Sequence, residues 1–150
     1  MAGPARIASF SGDYRFLSNF APIPGGLEYE GLRFPTLEHA FAAAKSLDPA
    51  VRQAIAALPT PGQAKRAGRA VVLRADWEAR KLTIMSELLT QKFSREPFAS
   101  ALRATGEAEL VEGNNWGDRF WGVCDGEGQN HLGRLLMDLR ARLVDSGPDD

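Results

Sequence analysis

Apolar and polar positions alternate at two different periods along this chain. Arg6-Ile7-Ala8-Ser9-Phe10 reads as a short first strand, closed by Ser11-Gly12-Asp13. Phe16-Leu17-Ser18-Asn19-Phe20 follows, then a Pro/Gly-rich turn over Ala21-Pro22-Ile23-Pro24-Gly25-Gly26. From Leu27 to Phe34 apolar and polar residues alternate around Gly31, which predicts two strands joined by a tight turn. After Pro35 the period lengthens. Thr36 is a good N-cap, and the alanine-rich run to Lys45 predicts a helix with Leu37, Phe41 and Ala44 on its apolar stripe. Asp48-Pro49 and Thr60-Pro61 each pair an N-cap residue with proline at the first helical position, so two more helices start there. Asp76 is the expected cap of the longest helix, whose apolar face carries Trp77, Ile84, Met85, Leu88, Leu89 and Phe93. Ser94 is the expected cap of a short helix through Phe98, Leu102 and Arg103 that ends at Thr105-Gly106.

Glu109-Leu110-Val111-Glu112 is a strand candidate. Between Gly113 and Gly128 the helical period disappears, and glycine, tryptophan and acidic residues crowd together, as in a functional loop. A final helix runs from about Asn130 to Leu143, with Leu132, Leu135, Leu136, Leu139 and Leu143 as its stripe. These elements predict an α+β fold, a single compact and mainly helical domain with a small β component. It would span residues 1–150, with a core of about 7–143 and a short flexible acidic tail from Asp145 to Asp150.

A length of 150 residues is enough to bury a core of this kind. The net charge of −1 removes any global basic field for non-specific binding of nucleic acid or anionic membrane, but leaves room for an enzyme that visits a nucleotide. Cys124 is the only cysteine, so an intramolecular disulfide framework and a multi-cysteine zinc site are both excluded, which suits a reducing cytoplasm. Met1 to Arg6 lacks the apolar run of a signal peptide, and no apolar stretch is long enough to span a membrane. The expected location is cytoplasmic, without membrane partners.

Three groups of polar residues look out of place. Ser18-Asn19 interrupts Leu17 and Phe20. Glu38 and Lys45, seven apart on one helix, point nearly the same way at about 100° per residue and flank the apolar stripe. The third group is the run from Asn114 through Trp116, Asp118, Arg119, Trp121 and Gly122 to Asn130. Each has an ordinary reading. Glu38 is also a first-turn acid favoured by the helix dipole, Lys45 a solvated helix residue, and Asp118 a turn residue bonding its own backbone. The chemical reading makes Glu38 a carboxylate that activates water or stabilises positive charge on a sugar ring. Lys45, if desolvated, becomes a nucleophile or a phosphate clamp. Trp77, Trp116 and Trp121 are core aromatics or surfaces for a heterocyclic base. His39 points away from the stripe and reads as a surface residue or a support for its neighbours. Cys124 reads as a small apolar filler.

The order and spacing of several stretches resemble the NADAR (YbiA-like) family: Phe16 to Phe20, Phe34 to Lys45, Ala64 to Arg69, Asp76-Trp77, Lys92-Phe93, Thr105-Gly106, Leu110 to Glu112, Asp118 to Gly122 and Asn130 to Met137. That resemblance implies N-glycosidase activity on ribosyl-linked bases, without metal or cofactor. Two substrates are attached to the family, ADP-ribose on guanine in nucleic acid and ribosylamino-pyrimidine phosphates of riboflavin synthesis. The first is the expected one, so the expected partners are ADP-ribose or a ribosyl nucleotide, and ADP-ribosylated single-stranded DNA. The resemblance further implies that Glu38, Trp77 and Asp118 match active-site positions and that Lys45 matches a lysine able to form a Schiff base at the anomeric carbon. Ser18, Asn19, Trp116, Trp121, Gly122 and Asn130 are expected to bind substrate, with Arg119 and Arg134 as phosphate partners. A non-catalytic ADP-ribose-binding module is the competing class.

Overall fold

The computed structural model describes residues 4–145, with side chains through residue 143. The expected acidic tail therefore lies, apart from the backbone of Asp145, outside the described residues, as do the first three residues of the chain. In chain order, β1 (Arg6–Ile7) and a 3-10 helix (Gly12–Leu17) precede β2 (Leu27–Tyr29) and β3 (Leu32–Phe34). Five helices follow: α1 (Leu37–Ala44), α2 (Pro49–Ala56), α3 (Pro61–Ala70), α4 (Trp77–Lys92) and α5 (Phe98–Ala104). The short strands β4 (Glu109–Leu110), β5 (Gly113–Asn114) and β6 (Val123–Cys124) lead into α6 (His131–Asp145). The predicted α+β class, mainly helical with little strand, is what the structure has.

The chain forms two compact units. One consists of Asn19–Lys92, and the other joins the residues up to Ser18 with those from Phe93 onward. In the Asn19–Lys92 unit β2 and β3 form the expected antiparallel hairpin, with Leu27 opposite Phe34. Glu30 and Gly31 at its turn both have positive φ, which glycine adopts without a Cβ penalty. The side-chain amide of Gln91 reaches the hairpin, accepting from the Glu28 N–H and donating to the Glu28 carbonyl, each at 2.8 Å. Helices α2, α3 and α4 and both strands all pack on α1. That packing is what makes α1 stable, because eight residues are too few to hold a helix in water.

Helix starts follow the sequence signals closely. The Thr36 hydroxyl accepts the His39 N–H at 3.2 Å. Asp48 caps α2 through the Ala50 N–H, and Thr60 with Gln63 forms a reciprocal capping box at α3. One expectation fails: the N-cap position of α5 falls at Pro97 rather than Ser94. Asp76 stands immediately before α4, its carbonyl accepting from Arg80 and its carboxylate paired with Arg74 at 2.6 Å.

Helix α3 approaches α1 closely at Gly68. A methyl there would stand 2.9 Å from the Ala42 Cβ and 3.3 Å from the Ala42 Cα, both inside a packed seam. Replacing glycine by alanine in an exposed helix stabilises it by about 1 kcal/mol. Overpacking a close contact costs about 1–3 kcal/mol. The second effect wins here, because Ala42 is fully buried with no room to give. Gly68→Ala is expected to lower the urea midpoint of unfolding, and an unchanged or raised midpoint would show that α3 sits more loosely.

In the unit joining the two chain ends, β1 and β4 pair in parallel, with Ile7 beside Leu110. The predicted strands over Arg6 to Phe10 and Glu109 to Glu112 shrink to two residues each, since pairing continues no further. Within the glycine-dense segment β5 pairs with β6 in parallel, which the absence of any sequence period concealed. Helix α6 starts at His131, one residue after Asn130, which has φ of 54°. Among the described residues no helix is long and apolar enough to cross a membrane, and Cys124 is buried and free, as a filler should be.

Candidate functional site

Glu38 lies in the first turn of α1 and Lys45 directly follows its last residue, where the backbone is still right-handed helical. The Glu38 N–H donates to the Asn19 carbonyl at 3.1 Å, tying the preceding turn to the helix start. The other end of α1 is clamped by the segment after α3. The Arg74 N–H bonds the Lys45 carbonyl at 2.8 Å, and the Arg74 guanidinium reaches the Ala44 carbonyl at 3.3 Å. Both side chains are half-buried, at the edge of the core, as the spacing predicted.

Burial is the largest influence on the Lys45 amine and pushes its pKa below the ordinary lysine value. The Glu38 carboxylate opposes that shift, while Arg69, Lys65 and Lys81 reinforce it. Glu38 and Lys45 are therefore close enough to feel each other's charge, in a neighbourhood otherwise rich in cations. Lys81 is paired with Glu78 at 2.7 Å. The Lys65 ammonium lies 5.8 Å from the Phe20 ring centroid. Trp77 is buried against Phe41, with ring centroids 5.0 Å apart, so it forms a wall behind α1. The Asn19 side chain contacts the Met85 sulfur at 3.7 Å, and its Oδ1 is buried without a hydrogen-bond partner. A buried acceptor left open beside the start of α1 suits a donor supplied by a ligand, such as a sugar hydroxyl.

Lys65, Arg69 and Lys81 escaped the sequence reading. Lys65 and Arg69 are four apart on α3 and share a face, which was the available signal. Nothing local shows that this face turns toward Lys45. A second buried lysine, Lys92 at the end of α4, is brought down to about 7 by burial. An apolar groove of about 490 Å³ between α2 and α3, lined by Val51, Ile55, Leu58, Ala67 and Val72, offers no group for bond-breaking chemistry.

His39 corrects the sequence reading. It is fully buried rather than at the surface. The stripe argument assumed burial on one side, whereas α1 is packed almost all round. The His39 Nε2–H donates to the Leu58 carbonyl at 2.9 Å, so Nδ1 accepts from the Thr36 hydroxyl at 2.7 Å. Burial, the dominant cause, holds the His39 pKa below 6.5, against the opposing bond to Leu58. The unfolded chain then binds the proton first as pH falls, so stability declines on acidification from about 6.5 down to the folded pKa. Urea midpoints at about pH 8 and about pH 5 should show this drop. His39→Gln should flatten it while lowering stability at the higher pH, and an unaltered slope would assign the drop to other groups.

The remaining expected residues lie in the other unit, Ser18 among them, which closes the 3-10 helix by donating its N–H to the Arg15 carbonyl. Asp118 makes a turn, with Oδ1 accepting the N–H groups of Phe120 at 3.1 Å and Trp121 at 2.9 Å. Asn114 braces it, accepting the Asp118 N–H at 3.0 Å while donating to the Glu112 carboxylate at 3.0 Å. A side chain at Gly122 would collide with the Glu112 carboxylate and carbonyl, so glycine is required there. Asn130 spends both ends of its amide on backbone, donating to the Leu110 carbonyl at 2.9 Å and accepting the Glu112 N–H at 3.0 Å. Arg119 lies near Asp125 and Glu127 at 3.7 and 3.8 Å. Trp121 stacks edge-on against Phe120, while Trp116 and Arg134 are exposed. Asn114 belongs to the polar group singled out in the sequence, whereas Glu112, just before the loop, was not singled out. Among the described residues no cluster of potential metal ligands occurs.

Fold and site define a small, mainly helical α+β protein with a carboxylate and a desolvated amine on one helix. The NADAR domain family model matches residues 9–144. N-glycosidase YbiA of Escherichia coli strain K12 is 41% identical over 140 residues, covering 91% of this chain and 86% of that protein. A Nostoc punctiforme protein also named N-glycosidase is 36% identical over 137 residues, covering 87% of this chain and 86% of its own length. A Vibrio vulnificus riboflavin biosynthesis protein is 34% identical over 140 residues, which cover 91% of this chain and 37% of that protein. The NMR structure of E. coli YbiA superposes with a TM-score of 0.79 at 38% identity, covering 94% of this chain and 84% of that one. This chain belongs to the NADAR family.

Proposed function

We propose that this protein cleaves the N-glycosidic bond between ribose and a heterocyclic base in a phosphate-bearing substrate, and that ADP-ribose on guanine is that substrate. The coarser statement, an enzyme that hydrolyses N-glycosyl bonds, accords with the names of its relatives in E. coli and Nostoc punctiforme. The observation that carries the reading is the pairing of Glu38 with a desolvated Lys45 on one helix.

Breaking the bond sends its electron pair to the base and leaves positive charge on C1′ of the ribose. A carboxylate beside C1′ binds that charge more strongly than the neutral ground state. A neutral Lys45 amine can attack C1′, forming a carbon–nitrogen bond as the base departs with a proton. Opening of the sugar ring then gives an imine, which water hydrolyses to release the phosphate-bearing ribose, ADP-ribose for the proposed substrate, and the free amine. The open Asn19 Oδ1 would accept a ribose hydroxyl, and the cations of α3 and α4 favour an anionic phosphate group.

The second reading, a ribosylamino-pyrimidine phosphate, is favoured by the riboflavin-linked name of the Vibrio vulnificus relative. Incubating the protein with guanine-ADP-ribosylated single-stranded DNA, and separately with the pyrimidine phosphate, tests both, the first by release of ADP-ribose with unmodified guanine left in the strand, the second by release of free pyrimidine. ADP-ribose release without pyrimidine release supports the first. Tight ADP-ribose binding with no release from either would establish a binding module instead.

A further inference from the structure

Among the described residues, the charged groups that act most on the Lys45 amine come from three helices: the Glu38 carboxylate of α1, Lys65 and Arg69 of α3, and Lys81 of α4, already paired with Glu78. The geometry of α3 explains how two of these cations reach it. Gly68 lies between them in sequence, and the position its Cβ would occupy is 3.6 Å from the Lys45 ammonium nitrogen. With no side chain at 68, α3 lies directly against α1, and Lys45 rests on the bare backbone of α3. The same approach partly shields the amine from water and brings Lys65 and Arg69, one turn apart, near enough for their charges to act on it.

We propose that α3 is the element that keeps the Lys45 amine ready to attack, with Arg69 and Lys65 as positioning residues that crowd it with like charge. The inference rests on the reading in which Lys45 acts as a nucleophile. Like charge nearby disfavours the ammonium form, so more amine is neutral and nucleophilic at a given pH. Glu38 works in the opposite sense, and α3 offsets it. Lys65 and Arg69 thereby act on the reaction through Lys45, without having to touch the reacting carbon.

The test reads Lys45 directly, without substrate. Competitive acetylation by acetic anhydride across a pH series, with peptide mass spectrometry at Lys45, gives the pH midpoint of its reactivity. Arg69→Gln and Lys65→Gln should each move that midpoint upward, with Arg69→Gln the larger. The double variant should label about threefold more slowly near pH 8, corresponding to about half a pH unit. Arg69→Lys should restore the original profile, which a loss of packing alone would not explain. Arg69 is exposed and Lys65 half-buried, and circular dichroism checks that the variants fold. An unshifted midpoint in the double variant would overturn the proposal. A shifted midpoint in a protein that cleaves the N-glycosidic bond of neither substrate would keep the role of α3 and remove the glycosidase reading.

Discussion

Replacing Glu38 by glutamine should slow N-glycosidic bond cleavage by about 10²–10³-fold while leaving substrate binding nearly unchanged. Glutamine has almost the same shape, so α1 keeps its packing, and the Asn19 carbonyl still holds the backbone N–H at 38. Only the charge is lost. Two unit charges about 4 Å apart at an effective dielectric of about 20 attract by about 4 kcal/mol. That attraction exists only once C1′ has become positive, so its loss raises the barrier rather than weakening binding. A loss of about 4 kcal/mol corresponds to about 10³ in rate, the upper end of the expected range. The same substitution has a second readout. Removing the carboxylate that raises the Lys45 pKa should move the midpoint of Lys45 acetylation downward. Full activity in Glu38→Gln would refute the central assignment, whatever the acetylation result.

Lys45→Ala should abolish any covalent adduct trapped by borohydride during turnover. The adduct forms because the imine between Lys45 and the opened ribose is reduced to a stable amine. In the wild-type protein its mass should map to the peptide carrying Lys45. Lys45→Arg separates two roles. Arginine keeps a positive charge but cannot form the imine, so activity should stay as low as in Lys45→Ala. Restored activity with arginine would make Lys45 an electrostatic group and not a nucleophile. The pH dependence follows from the direction of the shift. Because burial lowers the Lys45 pKa, the neutral amine appears at lower pH than in an ordinary lysine. Activity limited by that amine should rise with pH through the lowered pKa and level off before the usual lysine range. An alkaline limb that persists in Lys45→Ala would belong to another group.

Much of the fold was legible because it rests on short-range rules. Thr36, Asp48-Pro49 and Thr60-Pro61 mark helix starts through local hydrogen bonds and a fixed proline φ, and each does so in the structure. The hairpin was visible in its alternation around Gly31. Where the sequence misled, a distant packing partner was responsible. Of the two readings of His39, surface residue or support for its neighbours, the surface one fails because burial of α1 on several faces is not encoded in α1. The parallel β5–β6 pair joins residues about ten apart with no alternation to announce it. Ser94 looked like a cap, yet the N-cap of α5 lies at Pro97.

Glu38 and Lys45 were bound to share a helix edge once the chain between them was helical, since seven residues bring two positions to nearly the same angle. The sequence by itself determined that pairing, and the resemblance of the whole chain to the NADAR family attached chemistry to it. Tertiary structure alone decided the surroundings: α3 lies against Lys45 at Gly68, Arg69, Lys65 and Lys81 act on it, and Asn19 is left with an open acceptor. Helical period depends on neighbours a few residues apart. Desolvation and the sum of nearby charges depend on which helices meet, and so on packing contacts made across the fold.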